Sequence, residues 1–155
     1  AGGTGAFTLA LRNPEVFSSV ASHSGILAFL YEGPYPFEAG QSRFITELLP
    51  EQQSPEVLTI YGEDLSNWRA HDPYSLLALN PVADLSIYFD CGSEDDFQFD
   101  ALSAAVNELL VLQGIKHEYH SIPGGHDDDL FGVRIEFSLR FHSQHLARPH
   151  LQSGD

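Results

Sequence analysis

Two loops of this chain carry titratable side chains that could move a proton. The segment DCGSEDDF contains Glu94, Asp95 and Asp96, and the segment PGGHDDD contains His126. In a Ser-His-Asp arrangement, a carboxylate orients an imidazole and stabilises its charged form, while the imidazole moves the proton of a nucleophile. The two loops therefore indicate the acid–base half of a catalytic triad, with the choice among the three carboxylates left open.

Each of these residues also has a structural interpretation. Asp95 could cap a turn, in which case Glu94 or Asp96 would be the acid. His126 could be an ordinary surface histidine, but the Pro-Gly-Gly sequence before it favours a sharp turn that presents the ring. The sequence before His126 therefore favours it as a base, whereas the choice of its partner among the three carboxylates stays open.

The elements around the two loops predict how they are brought together. Residues 85–92 predict a buried strand, 99–114 an amphipathic helix ended by glycine, 116–125 a second strand and 130–146 a final helix. Strands and helices that alternate in this way predict a parallel sheet with right-handed crossovers. Both loops follow predicted strands, and ligands collect at the carboxyl ends of such strands.

The first half of the chain is less regular. Its start predicts a helix over 3–13 that Pro14 ends, and SSVASHSG, residues 18–25, predicts a short strand. A long stretch rich in Gly, Pro and aromatic residues follows, and DLSNWRAHDPYSLLAL predicts one or two short helices broken at Asp72-Pro73. We therefore predict one domain over 1–146, with 26–83 as a long cap-like insertion and 147–155 as a flexible tail.

Composition excludes several classes of function. The chain has 155 residues, of which 43% are hydrophobic, and a net charge of −15. A surface with this much negative charge repels phosphate backbones and anionic lipids. We therefore expect no nucleic-acid or membrane partner. Apolar runs are too short to cross a bilayer, which indicates a soluble protein. Cys91 is the single cysteine and leaves the compartment open, with the cytoplasm favoured.

The opening residues AGGTGA resemble the end of a nucleophile elbow, G-x-S-x-G, in the variant whose serine is followed by x-G-G-x-G-A. The serine would then be the residue immediately before Ala1. Ser22 and Ser24, at the end of the next predicted strand, are possible substitute nucleophiles, although neither lies on an elbow followed by a helix. A nucleophile followed by Asp and then His is the chain order of α/β-hydrolases.

Four collinear segments resemble the putative-esterase (esterase D-like) family of α/β-hydrolases. They are GGTGAFTLALRNPEVFSSVASHSG, NWRAHDPYSLL, IYFDCGSEDDF and PGGHD…LRFHSQHL. That family includes S-formylglutathione hydrolases, feruloyl and acetyl-xylan esterases, and mycolyltransferases. The resemblance implies that residues 1–146 form the C-terminal portion of an α/β-hydrolase fold, with a parallel sheet of about three strands flanked by helices.

The resemblance also implies roles for individual residues. The family's triad acid lies three residues after the glycine, here Gly92, which makes Asp95 the acid and His126 the base. The backbone N–H of Ala1 would be one donor of the oxyanion hole, and no metal or organic cofactor is needed. The sequence departs from the family at residues 127–129, where three aspartates replace the usual aromatic residue.

Aromatic residues in and beyond the long irregular stretch are candidates for substrate-binding walls. They include Tyr31, Tyr35 and Trp68. Such side chains above a strand edge would suit an acyl or aromatic ester. An equally good interpretation is a satellite core beneath the loop.

The sequence thus predicts a serine carboxylesterase that cleaves small-molecule esters or thioesters through an acyl-enzyme, or an acyltransferase with the same triad. The alternative is a non-catalytic α/β-hydrolase-like fragment that acts as a binding or self-assembling module. A sheet of three strands leaves an open edge that invites pairing. We therefore expect a homo-oligomer or a complementing N-terminal chain across that edge.

Overall fold

The computed structural model describes residues 2–28, 30–32, 42–44, 59–62, 64–80, 82 and 84–146. In chain order the elements are α1 (Gly2–Arg12), β1 (Ser19–His23), β2 (Leu30–Glu32), β3 (Ser42–Phe44), α2 (Leu65–Arg69), α3 (Pro73–Leu79), β4 (Ser86–Gly92), α4 (Phe99–Leu112), β5 (His117–Ile122) and α5 (Asp128–His145). The helices and strands predicted from the pattern of apolar residues are therefore confirmed.

Three strands form the parallel sheet after which the loops of Asp95 and His126 follow. Their order is β1-β4-β5, and both neighbouring pairs are parallel, with Ser19 opposite Ser86 and Ile87 opposite His117. The central strand β4 is buried on both faces, as its nearly continuous apolar sequence requires. The predicted parallel sheet of three strands is confirmed.

Helices cover both faces of this sheet. On one face, Phe7 of α1 and Val106 of α4 pack in one core with Phe89, and the Phe7 and Phe89 rings meet edge to face at 6.1 Å. On the other face, α5 packs Phe141 against Tyr88, with 5.5 Å between the ring centroids. Because the two faces use alternate residues of β4, the strand is held between two helical layers. No helix in the described ranges is both long and apolar enough to span a bilayer.

The predicted break at Asp72-Pro73 separates α2 from α3. The side chain of Asp72 caps α3 by accepting hydrogen bonds from the Ser75 backbone N–H at 2.9 Å and from its hydroxyl at 2.6 Å. Proline at the first helical position loses no hydrogen bond, because that N–H has no partner inside a helix. The Asp-Pro pair therefore starts α3.

The described residues of the stretch predicted to be irregular include two short strands. Strands β2 and β3 form a short antiparallel pair, with Tyr31 opposite Arg43. Strands of three residues are too short to give a periodic signal, which is why the sequence pattern did not predict them. The proposed cap-like insertion over 26–83 includes this pair, α2 and α3, and it stays a prediction. The tail predicted over 147–155 lies outside the described residues.

Candidate active site

Asp95 and His126 lie beside each other at one edge of the sheet. Asp95 follows β4 and His126 follows β5, and the carboxyl ends of these parallel strands lie at the same edge. Nδ1 of His126 lies 2.8 Å from Oδ2 of Asp95. The side chain of Asp95 is 0% exposed and that of His126 is 25% exposed. A buried carboxylate therefore contacts an imidazole ring that solvent still reaches.

The loop after β4 holds Asp95 through its second oxygen. Oδ1 accepts hydrogen bonds from the backbone N–H groups of Phe97, at 3.0 Å, and Phe99, at 3.5 Å. Asp95 thus caps the turn into α4 and also contacts His126. Its interpretation as a turn cap is therefore compatible with its interpretation as the partner of the histidine. Its neighbours Glu94 and Asp96 are exposed.

Two loops pack against each other through their backbones: the acid loop, residues 93–98 after β4, and the histidine loop, residues 123–127 after β5. The N–H of Glu94 donates to the carbonyl of Gly124 at 3.0 Å, and the N–H of Ser93 donates to the carbonyl of Ile122 at 2.8 Å. A Cβ atom on Gly92 would collide with the Gly124 and Gly125 carbonyl oxygens. Glycine at position 92 therefore permits the close approach that places Asp95 within reach of His126.

Three phenyl rings enclose the imidazole. Phe97, Phe99 and Phe131 each meet the His126 ring at nearly right angles, with centroids 5.1, 5.5 and 5.7 Å away. Within the described part of the chain, Nε2 of His126 has no hydrogen-bond partner. This nitrogen can therefore accept a proton from a nucleophile. None of the three rings was among the residues predicted for the site, although Phe97 lies in the loop after β4 and Phe99 begins α4.

The N-terminal end of α1 lies at the same edge of the sheet. Oγ1 of Thr4 accepts a hydrogen bond at 3.0 Å from the backbone N–H of Ile26, which follows β1. Because β1 is parallel to β4, this end of α1 lies on the side of the sheet that carries Asp95 and His126. Ala1, the predicted oxyanion-hole donor, lies outside the described residues.

The two candidate substitute nucleophiles are buried. Ser22 is 1% exposed, and its Oγ fills the space where Gly3 and Gly25 lack a side chain. Ser24 is 4% exposed, and its Oγ accepts a hydrogen bond from Arg134 at 3.0 Å. Among the described residues neither hydroxyl bonds to His126, so the structure does not bring them together with that imidazole.

Cys91 also lies close to the acid. Its Sγ lies 3.5 Å from Oδ2 of Asp95, and burial, together with the negative charge of Asp95, raises the pKa of the thiol to about 12. Thiolates rather than thiols react with disulfide reagents. We therefore expect Cys91 of the native protein not to react with Ellman's reagent at pH 8, and to react in 8 M urea. Rapid labelling of the native protein would contradict this environment.

Of the residues predicted to line a substrate pocket, the structure describes the side chain of Trp68 alone. Trp68 is 0% exposed and packs in a second core with Cys91 and Phe99, and its Nε1 donates to the Gly62 carbonyl at 2.8 Å. That position matches a satellite core. Tyr31 lies on β2 with a side chain that is not described, and Tyr35 lies outside the described residues.

Comparison with solved structures supports the fold. An S-formylglutathione hydrolase from Agrobacterium tumefaciens is 23% identical, with a TM-score of 0.66, and the match covers 94% of this chain and 47% of that one. The S-formylglutathione hydrolase FrmB of Staphylococcus aureus is 19% identical with a TM-score of 0.60, covering 90% and 50%. The fluorophosphonate-binding serine hydrolase FphF of Staphylococcus aureus is 17% identical with a TM-score of 0.56, covering 90% and 50%.

The chain thus spans about half the length of the solved structures that it matches. The family described as "Putative esterase" matches residues 1–141. This match includes both strand-end loops, the helix α1 and most of α5. With its parallel sheet between helical layers, the chain has part of an α/β-hydrolase fold and belongs to this esterase family.

Proposed function

We propose that the protein is a serine carboxylesterase in which Asp95 is the triad acid and His126 the base. The observation that carries the proposal is the 2.8 Å contact between Oδ2 of Asp95 and Nδ1 of His126. A buried carboxylate at this position keeps a proton on Nδ1, so that Nε2 is free to accept one. Membership of the esterase family supports the same chemistry.

The nucleophile in this proposal is a serine immediately before Ala1. Its Oγ attacks the ester carbonyl while its proton passes to Nε2 of His126. The backbone N–H of Ala1 would be one of the donors that stabilise the negative oxygen of the tetrahedral intermediate. The protonated ring then gives its proton to the leaving alcohol or thiol. Water attacks the acyl-enzyme by the same steps, releases the acid and restores the serine.

The sheet offers a place for the strand that would carry this serine. Within the described residues β1 is an edge strand, and α1 packs beside it. A parallel strand entering α1 would pair with the free edge of β1. A second copy of the chain, or a separate N-terminal chain, would cover the same edge in the other arrangements that we propose. Light scattering on the purified full-length protein separates the monomer from both.

The proposed substrates are small esters and thioesters. Two of the matched structures are S-formylglutathione hydrolases, and a third is a serine hydrolase that binds fluorophosphonates. Asp95 and His126 act on the serine and the leaving group, so the same machinery serves oxygen and sulfur leaving groups. If another alcohol reached the acyl-enzyme in place of water, the reaction would be acyl transfer.

Covalent labelling tests this function directly. The full-length protein is expected to take up one equivalent of an alkyl fluorophosphonate, because an activated serine attacks phosphorus and releases fluoride. Intact mass gives the stoichiometry, and peptide mapping should place the adduct on the residue before Ala1.

Replacement of that residue by alanine should abolish labelling, whereas Ser143→Ala on α5, whose hydroxyl donates to the Arg140 carbonyl, should not affect it. An adduct on Ser22 or Ser24 would identify one of them as the nucleophile and contradict the elbow assignment. No adduct at all would favour the alternative, a binding or self-assembling module without catalysis.

A further inference from the structure

A buried ion pair lies behind the active site, on the face of the sheet that α5 covers. Nη1 of Arg134 donates to Oδ1 of Asp90 at 2.8 Å, and both side chains are 0% exposed. The same nitrogen donates to Oγ of Ser24 at 3.0 Å. Oδ2 of Asp90 accepts a hydrogen bond from the Tyr88 hydroxyl at 2.8 Å and lies 2.7 Å from Nδ1 of His23. Residues near the ends of β1 and β4 thus fix the guanidinium in place.

This guanidinium lies over a phenyl ring. The carbon Cζ of Arg134 is 4.7 Å from the ring centroid of Phe131, one helical turn earlier on α5. The Phe131 ring in turn meets the ring of His126 at 5.7 Å and 86°. A continuous series of contacts therefore runs from Asp90 through Arg134 and Phe131 to His126.

The three rings around His126 stand on two separate segments of the chain. Phe97 lies in the same loop as Asp95, and Phe99 begins the helix that follows that loop. Phe131 stands on α5, which packs against β1 and β4. Among the described rings it is the one that fixes the imidazole independently of the acid loop. A hydrogen bond at Nδ1 fixes one atom, and a ring contact is needed to stop the imidazole from pivoting about it.

We propose that Arg134 is a positioning residue: by holding the Phe131 ring, it fixes the orientation of His126 in which Nε2 faces the nucleophile. This inference rests on the proposed esterase function and adds to it a residue that does not touch substrate. Arginine suits the task because a planar guanidinium can donate to Asp90 and Ser24 and at the same time lie over an aromatic ring. A lysine ammonium could keep the ion pair but has no flat face.

A double-mutant cycle in the full-length protein tests the inference. Arg134→Lys keeps a positive charge beside Asp90, and Phe131→Leu removes the ring but leaves the ion pair. Since small misplacements of catalytic groups cost up to about 100-fold, each variant is expected to lower kcat for p-nitrophenyl acetate about tenfold. KM should stay within about twofold, because neither side chain binds substrate. The double variant should be no slower than Phe131→Leu alone.

The matched control is Arg140→Lys, on the same helix. Its side chain is 65% exposed and pairs with Glu136, so its kinetic constants should not change. Multiplying effects in the double variant, or an unchanged kcat in Arg134→Lys, would show that Arg134 does not act through Phe131. If Arg134→Lys unfolds, Phe131→Leu still decides, because an unchanged kcat there overturns the proposal.

A spectroscopic measurement separates this inference from the esterase function. In protein labelled with 13C-histidine, the ring signal of His126 is the one that His126→Gln removes. Arg134→Lys should shift this signal, because the neighbouring phenyl ring would take a new position. The shift would support the positioning role even in a protein that hydrolyses no ester, and an unmoved signal would overturn it.

Discussion

Replacing His126 by alanine in the full-length protein is expected to lower kcat for hydrolysis of p-nitrophenyl acetate by about 10⁵- to 10⁶-fold. In the proposed mechanism the imidazole takes the proton of the serine in the first half-reaction and activates water in the second, so both steps would lose their base. The proposed oxyanion-hole donors would remain in this variant and preserve a small rate above the uncatalysed reaction. Steady-state kinetics on protein of verified mass measure the loss.

The matched control is His120→Ala. His120 lies on β5, six residues before His126, with a side chain that is 41% exposed and 2.7 Å from Oε1 of Glu118. It takes no part in the proposed reaction, and its removal should leave kcat within about twofold, as for surface positions away from the site. Equal losses in the two variants would indicate damage to the fold rather than to catalysis. An unchanged rate in His126→Ala would exclude His126 as the base.

The sequence predicted the second half of the fold because local and long-range signals agree there. Strand β4 is a continuous apolar run, α4 has an apolar face ended by Gly114, and β5 follows at the spacing of a crossover. These features determine that β4 and β5 lie parallel, and hence that their following loops meet. The pairing of Asp95 with His126 needs little more than this.

Other features depend on partners that sequence does not identify. Asp90 and Arg134 are separated by 44 residues, and nothing in either local pattern says that a charge is buried. The position of Trp68 could not be predicted for a different reason. An aromatic residue in a predicted insertion is equally compatible with a hydrophobic core and with a substrate pocket. Its burial against α4 follows from how α2 packs, which no periodicity in a helix of five residues can specify.

The aromatic enclosure of His126 lies between these cases. Phe97 and Phe99 follow Asp95 so closely in sequence that the turn at Asp95 brings both rings to the histidine. Phe131 reaches it only because α5 starts at Asp128, directly after the histidine loop. A sequence in which three aspartates follow His126 gives no sign of that aromatic contact, because the ring comes one turn later on the helix.

Replacing Asp95 by asparagine is expected to lower kcat about 10⁴-fold while the fold is preserved. An amide oxygen can still accept from the Phe97 N–H, as Oδ1 of Asp95 does at 3.0 Å, so the cap of the turn survives. The amide NH₂ group then faces Nδ1 of His126 and donates to it. That contact places the ring proton on Nε2, the nitrogen that must accept the proton of the serine. The wrong tautomer, rather than a displaced ring, causes the loss.

Two neighbouring carboxylates provide the controls for this variant. Glu94→Gln and Asp96→Asn change exposed side chains in the same loop, and each should keep kcat within about twofold. A loss of about 10⁴-fold corresponds to about 5.5 kcal/mol of transition-state stabilisation, far more than an exposed carboxylate supplies. If Glu94→Gln or Asp96→Asn were the slow variant instead, the acid would be that residue, and Asp95 would serve only to cap the turn into α4. Urea unfolding of each variant separates these outcomes from a general loss of stability, because a change of tautomer leaves the unfolding midpoint unmoved.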